Sequence, residues 1–257
     1  MRIHLINPNT TASMTEKAAA AARMVASPGT QIVAVTSSMG PASIEGFYDD
    51  ALALPGLLAA IAAAEQGTGK QGVGGIGGPV DAHIIACFDD TGLDAARTLA
   101  RAPVVGIGEA GFHLASLIAH RFAVVTTLAR SVPVIEANLA RYGLLARCCA
   151  IRASDVAVLE LEDPASDARG RISDEIGRAI RADKAEAIVL GCAGMADLAR
   201  SLSVQHGVPV IDGVASAVTL AEGLVRTGLA TSKLGPYAAP RVKPYAGRLA
   251  DFAPRGD

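Results

Sequence analysis

The sequence predicts an α/β protein of two similar lobes, each built on a parallel sheet, with a functional cleft between them. Two observations carry this. Short aliphatic runs alternate along the chain with Ala/Leu-rich segments of helical period, the pattern of βαβ units. The two halves also resemble each other: Asp81-Ala82-His83-Ile84-Ile85-Ala86-Cys87 matches Glu186-Ala187-Ile188-Val189-Leu190-Gly191-Cys192, with the cysteines 105 residues apart (87 and 192). Pro103-Val104-Val105-Gly106 and Pro209-Val210-Ile211-Asp212 repeat the match at an offset of 106. A candidate internal duplication follows.

In chain order, the strands are expected at Ile3–Ile6, Gln31–Thr36, Ala82–Ala86, Pro103–Ile107, Phe122–Val125, Asp155–Leu159, Ala187–Leu190 and Pro209–Ile211. Each is a short run bounded by polar or Gly/Pro residues. The runs are continuously apolar rather than alternating, which places helices on both faces of the sheets. Helical spacing predicts helices over Thr11–Val25, Leu52–Glu65, Leu93–Ala100, Val132–Tyr142, Asp167–Ala182, Ala196–His206 and Ala215–Arg226. The first lobe is expected to comprise residues 1–110 and 212–257, the second 111–211. Loops are read at Asn7–Thr10, at Ser37–Asp50 and over Gly67–Gly78, which contains seven glycines. The tail from Thr227 is expected to lie over the surface.

Composition sets limits on partners. The chain has 257 residues, of which 51 % are apolar and 19 % charged, enough to build a large core and too apolar for disorder. A formal charge of −2 without charge runs argues against nucleic acid or an anionic membrane as partner. No apolar run reaches the roughly 18 residues that span a bilayer. The amino terminus reads directly into a strand rather than a secretory leader, so a cytoplasmic setting is expected. Four cysteines do not make a disulfide framework and are expected as free thiols.

Ligands of parallel α/β sheets bind beyond the carboxyl ends of the strands. Cys87 and Cys192 both fall there, before a helix whose unpaired N–H groups can lower a thiol pKa. If the halves are related by an approximate two-fold axis, the two thiols face each other across one cleft. That arrangement suits proton transfer through a planar carbanion, one group removing a proton and the other delivering one to the opposite face. The enolate needs fixed donors: candidates are the N–H groups of Phe88 and Ala193, Asn9, and the hydroxyls of Thr126 and Thr127. Cys148 and Cys149 lack such symmetry and are read as structural.

Other signals are weaker. Two G-x-G-x-x-G matches, at 67–72 and 72–77, follow a helix instead of opening one, against the dinucleotide pattern. His4, His83, His113, His120 and His206 show no metal-ligand spacing, so no metal is expected. His113 and His120 fit one helix face, and His83 reads as a core residue. Asp49, Asp50, Asp89 and Asp90 fall in loops near the expected cleft, and Asp89 and Asp90 read as helix caps.

At these residues the chain resembles the hydantoin racemase family of the aspartate/glutamate racemase superfamily. The matching stretches are Asn7-Pro8-Asn9-Thr10-Thr11, Gly40 to Asp49, Ala86 to Leu93, Pro103 to Ala110, Val124-Val125-Thr126-Thr127 and Leu190 to Met195, over about residues 3 to 220. The resemblance implies two lobes with pseudo-two-fold symmetry, no cofactor, and two-base racemisation by Cys87 and Cys192. Its implied substrate is a 5-substituted hydantoin or the ureide allantoin. Asn9, Ile44, Phe47, Thr126 and Thr127 would line the pocket, and the amides of Phe88 and Ala193 would hold the ring carbonyls. A homo-oligomer is expected. Amino-acid racemases of the superfamily follow their cysteines with Asn-Thr or Thr-His; here Phe88-Asp89 and Ala193-Gly194 follow, which argues against a free amino acid as substrate. Amino-acid racemisation, arylmalonate-type decarboxylation, isomerisation of a small dicarboxylate, and a non-catalytic ligand-binding role are the rival readings.

Overall fold

The computed structural model describes residues 1–67 and 79–254. The Gly-rich stretch read as a loop lies almost wholly outside the described residues.

The described chain builds two four-stranded sheets. The first contains β1 (Arg2–Asn7), β2 (Gln31–Thr36), β3 (Ala82–Ile85) and β4 (Val104–Gly106) in the order β2-β1-β3-β4; the second contains β5 (Phe122–Thr126), β6 (Cys148–Ala153), β7 (Ala187–Gly191) and β8 (Val210–Ile211) in the order β6-β5-β7-β8. All pairings are parallel. The duplicated sequences occupy equivalent places: β3 and β7 are each third in their sheet, β4 and β8 fourth. In each sheet the chain runs outward to β2 or β6 and returns past its starting strand. The order therefore reverses between β1 and β3 and between β5 and β7, where crevices form at strand ends.

Helices are α1 (Ala12–Val25), α2 (Phe47–Glu65), α3 (Leu93–Leu99), α4 (Ile107–Ile118), α5 (Val132–Arg141), α6 (Ala168–Arg181), α7 (Ala199–His206) and α8 (Gly213–Arg226). The central strands are fully buried, as continuous apolar runs require. One core joins the sheets: Ile3, Leu5 and Ile84 of the first, Val124 and Val189 of the second, with Phe112 of α4 and Val214 and Ala217 of α8. Rings of Phe88, Phe112 and Phe122 stack through it, Phe88 meeting Phe112 edge-on at 5.2 Å. Two thiols hung from opposite sheets are thus held by one packed interior.

The structure departs from expectation in the second half. Asp155–Leu159 is no strand: Asp155 has φ +54°, and Val158–Glu162 forms a 3-10 turn. The sixth strand is Cys148–Ala153, pairing only with β5 at the sheet edge. Its half-buried pattern and Arg152, paired with Asp183 and Glu175, conceal it in sequence. Helix α4 was given no bounds in sequence; it holds His113 but ends before His120, so the two do not share a helix face. Helix α2 begins five residues earlier than expected, at Phe47, putting Asp49 and Asp50 in its first turn. Among the described residues it is the one helix long and apolar enough by length and composition to cross a bilayer. Here Leu57 and Ile61 pack into a core with Ile6 and Ile85.

His83 is fully buried and hydrogen-bonded, Nδ1 to His4 Nδ1 at 3.0 Å and Nε2 to Glu65 at 2.9 Å. Burial, and then the charge of His83, hold His4 well below the usual histidine range. From Thr227 the chain runs largely exposed over the first half, anchored by Lys233 Nζ on the last carbonyls of α3 and by Tyr237 on Asp94.

Candidate active site

Beyond the carboxyl ends of β3 and β7 lies a narrow cleft, walled by Asn9, Met14, Ile44, Cys87, Phe88, Asp89, Thr127, Ser131, Val158, Cys192 and Ala193, with Ala86 and Gly191 completing it. Both thiols border it, Cys87 two residues past the end of β3 and Cys192 one residue past the end of β7. Gly191 lets β7 close on β5, since a Cβ there would stand 2.7 Å from Thr126 Cβ.

The expected donors divide. Asn7 holds Asn9, with Asn7 Nδ2 donating to Asn9 Oδ1 at 2.8 Å and Thr11 N–H donating to the same oxygen at 2.9 Å. Among the described residues Asn9 Nδ2 has only Met14 Sδ as partner, at 3.6 Å, and Asn9 borders the cleft. Thr127 lines the cleft. Thr126 does not: its hydroxyl donates to Gly191 O at 3.0 Å, fixing the strand that carries Cys192. Phe47 is also absent from the wall and stands two-thirds exposed at the start of α2. Ile44 reaches the cleft from the first half and Val158 from the second. They are tied together by Val158 N–H donating to Glu45 Oε1 at 3.0 Å and Arg130 donating to Glu45 O. Phe88 turns its ring into the core, so its main chain is what borders the cleft.

Sequence reasoning missed Met14, Ser131 and Val158, and placed Asp89 near the cleft without giving it a role. Val158 was hidden by the strand assigned to its segment. Asp89 was read as a cap, and it caps nothing. Asp90 does cap a helix, though not the one that follows it. Its carboxylate accepts from Gly108 N–H and Glu109 N–H at 2.9 and 2.8 Å, at the start of α4, and from Tyr142 Oη at 2.7 Å. Gly108 is required there, because a Cβ would lie 2.4 Å from Phe88 O.

The thiols differ from expectation in acidity. Burial, then the charge of Asp89, pushes Cys87 well above the ordinary thiol range, against hydrogen bonds from Thr91 and the Asp89 N–H. Burial pushes Cys192 up to about 11, opposed by the Gly194 N–H and by Lys17. Desolvation outweighs the local N–H groups at both sites. Thr91 Oγ1 lies 3.3 Å from Cys87 Sγ and 2.5 Å from Asp50 Oδ1, so a hydrogen-bonded path runs from that thiol to a carboxylate. Cys148 and Cys149 lie away from the cleft, bonded to main-chain carbonyls. Among the described residues no group of three or more His, Cys, Asp or Glu side chains gathers as metal ligands would.

The family model for Asp/Glu/Hydantoin racemase matches residues 3–221. The chain belongs to this family. It is accordingly an isomerase of the racemase class. Among its relatives in the racemase family, a hydantoin racemase of Rhizobium meliloti is 49 % identical over 247 residues, spanning 96 % of this chain and 98 % of that one. A hydantoin racemase of Pseudomonas sp. (strain NS671) is 45 % identical over 252 residues, spanning 98 % and 97 %. Among solved structures, the allantoin racemase from Klebsiella pneumoniae is 46 % identical and superposes with a TM-score of 0.91, covering 99 % of this chain and all of that one.

Proposed function

We propose that the chain racemises 5-substituted hydantoins at C5, without a cofactor, by proton transfer between Cys87 and Cys192. The observation that supports this most is that two cysteines from equivalent strand ends border one cleft. Similarity to hydantoin racemases supports the substrate class. In the proposed reaction, the thiolate of one cysteine takes the C5 proton and becomes a thiol. The C–H electron pair moves into the adjacent carbonyl as an enolate, held by Asn9 Nδ2 and the main-chain amides after the cysteines. The opposing thiol then protonates C5 on the other face and becomes the thiolate. Neutral donors suit this anion, since no lysine or arginine lines the cleft.

Allantoin is the second reading, favoured by the likeness to the Klebsiella allantoin racemase and by the polar side chains of Asn9, Asp89, Thr127 and Ser131 in the wall. Optical-rotation decay with purified protein on 5-benzylhydantoin and on allantoin tests both. Loss of rotation with benzylhydantoin is expected. Decay with allantoin alone would transfer the assignment to allantoin, and decay with neither would overturn both.

A further inference from the structure

Three carboxyl groups crowd the turn after Cys87, and two have partners. Asp50 accepts from Thr91, and Asp90 from two amides and Tyr142. Asp89 makes no side-chain hydrogen bond or ion pair with any described residue, although it is only 8 % exposed and stands in the wall of the cleft. Its main chain is fixed at both ends: the N–H faces Cys87 Sγ, and the carbonyl accepts from Asn138 Nδ2 at 2.8 Å. A carboxyl group largely withdrawn from water, with no donor from the protein, is short of hydrogen bonds. One held rigidly toward a cleft is placed for a ligand that supplies the missing donor.

We propose that Asp89 determines which substrates the cleft accepts: its carboxyl group takes a hydrogen bond from a substrate N–H and rejects substrates bearing an anion on the C5 substituent. This rests on the hydantoin reading above. A hydantoin ring offers two N–H donors. An anionic substituent would meet Asp89 at close range in a narrow cleft with no cation among the described residues of its wall. Burial, with the charges of Asp50 and Asp90, raises the Asp89 carboxyl to about 7, so it holds its negative charge in mildly alkaline solution.

The test compares wild type with Asp89→Asn and Asp89→Ala at about pH 8. Racemisation of 5-benzylhydantoin is set against that of hydantoin-5-acetate, and both variants are checked for folding by thermal melting. Wild type should prefer the neutral substrate, and both variants should lose at least about ten-fold of that preference, chiefly through KM of the anion. Asp89→Ala should also raise KM for benzylhydantoin more than Asp89→Asn, which keeps an acceptor. A preference within about three-fold of wild type overturns the proposal. A second arm needs no turnover: alkylation of Cys87 and Cys192 by anionic iodoacetate and by neutral iodoacetamide, read by peptide mass. The iodoacetate-to-iodoacetamide rate ratio should rise at least about five-fold in both variants. An unchanged ratio overturns the proposal whatever the turnover. If wild type racemises no hydantoin while the ratio shifts, the substrate reading fails and anion exclusion by Asp89 stands.

Discussion

The two halves share one topology and surround their cysteines differently. After β3 the chain is acidic: Cys87 is followed by Asp89 and Asp90, with Asp50 one hydroxyl away through Thr91. After β7 it is Ala-Gly-Met-Ala, wound into a 3-10 turn, and the nearby cation is Lys17 of α1. Burial and the charge of Asp89 make both thiols harder to ionise; Asp50 adds to this at the first, while the Gly194 N–H and Lys17 oppose it at the second. Repetition of a fold therefore fixes where two like groups stand, while the loops decide which carries the proton. In a two-base mechanism the pair must begin a turnover as one thiol and one thiolate. In the proposed mechanism, the Gly194 N–H and Lys17 favour Cys192 as the thiolate.

The largest effect expected is on the pair itself. Cys87→Ser or Cys192→Ser should lower net racemisation by about a thousand-fold or more, since each removes one of two acid–base groups. Each variant should still exchange the C5 proton of one enantiomer with deuterated water, and the two variants should choose opposite enantiomers. Full racemisation by either, followed by polarimetry, would break the two-base reading.

Next in size is the difference in thiol acidity. Neutral iodoacetamide at about pH 9 should label Cys192 at least about ten-fold faster than Cys87. The rate at Cys192 should keep rising with pH toward about 11, the value to which burial pushes that thiol. At about pH 8 this leaves on the order of one Cys192 in a thousand ionised. Peptide mapping that finds Cys87 labelled first would reverse the assignment of acid and base.

A smaller effect tests the path from Cys87 to Asp50. Thr91→Val removes the hydroxyl that hydrogen-bonds both. It should change the labelling rate of Cys87 while leaving Cys192 within about two-fold, because only the first thiol loses a hydrogen-bond partner. It should also lower kcat/KM by about five-fold. Since enantiomers interconvert with an equilibrium constant of one, that loss must be equal in both directions. A loss confined to one direction would point to an artefact of measurement rather than to the thiol.

Most of the sheet architecture was legible because buried parallel strands announce themselves: Phe122–Val125 and Ala187–Leu190 are unbroken aliphatic runs. Edge strand β6 was not, since an edge tolerates half-buried Cys-Cys-Ala-Ile-Arg-Ala and hands its charge to Asp183 and Glu175. Within the site, Asn9, Ile44, Thr127 and the two cysteines were read from sequence and do meet in the cleft. Thr126 and Asp89 show the limit of such reading. Adjacent threonines look equivalent in sequence, but strand pleating turns one hydroxyl onto Gly191 O and leaves the other in the wall. Adjacent aspartates differ because Asp90, at φ +52°, reaches α4, the helix that sequence periodicity had not revealed.

The smallest effect sharpens the comparison from the other side. Lys17 belongs to the first half yet serves the second: its Nζ donates to Leu161 O and Gly194 O and pairs with Glu162 at 3.1 Å. Its charge favours the Cys192 thiolate, while Glu162 opposes it. Lys17→Met should therefore raise the Cys192 pKa and slow its alkylation, with Cys87 unaffected. The change should be only about two- to three-fold, because the lysine is partly solvated and its charge is already shared with Glu162. Faster labelling of Cys192 in this variant would mean that Lys17 acts by closing the loop over the thiol rather than by its charge. The bias between the two halves would then rest on burial and the carboxylates near Cys87.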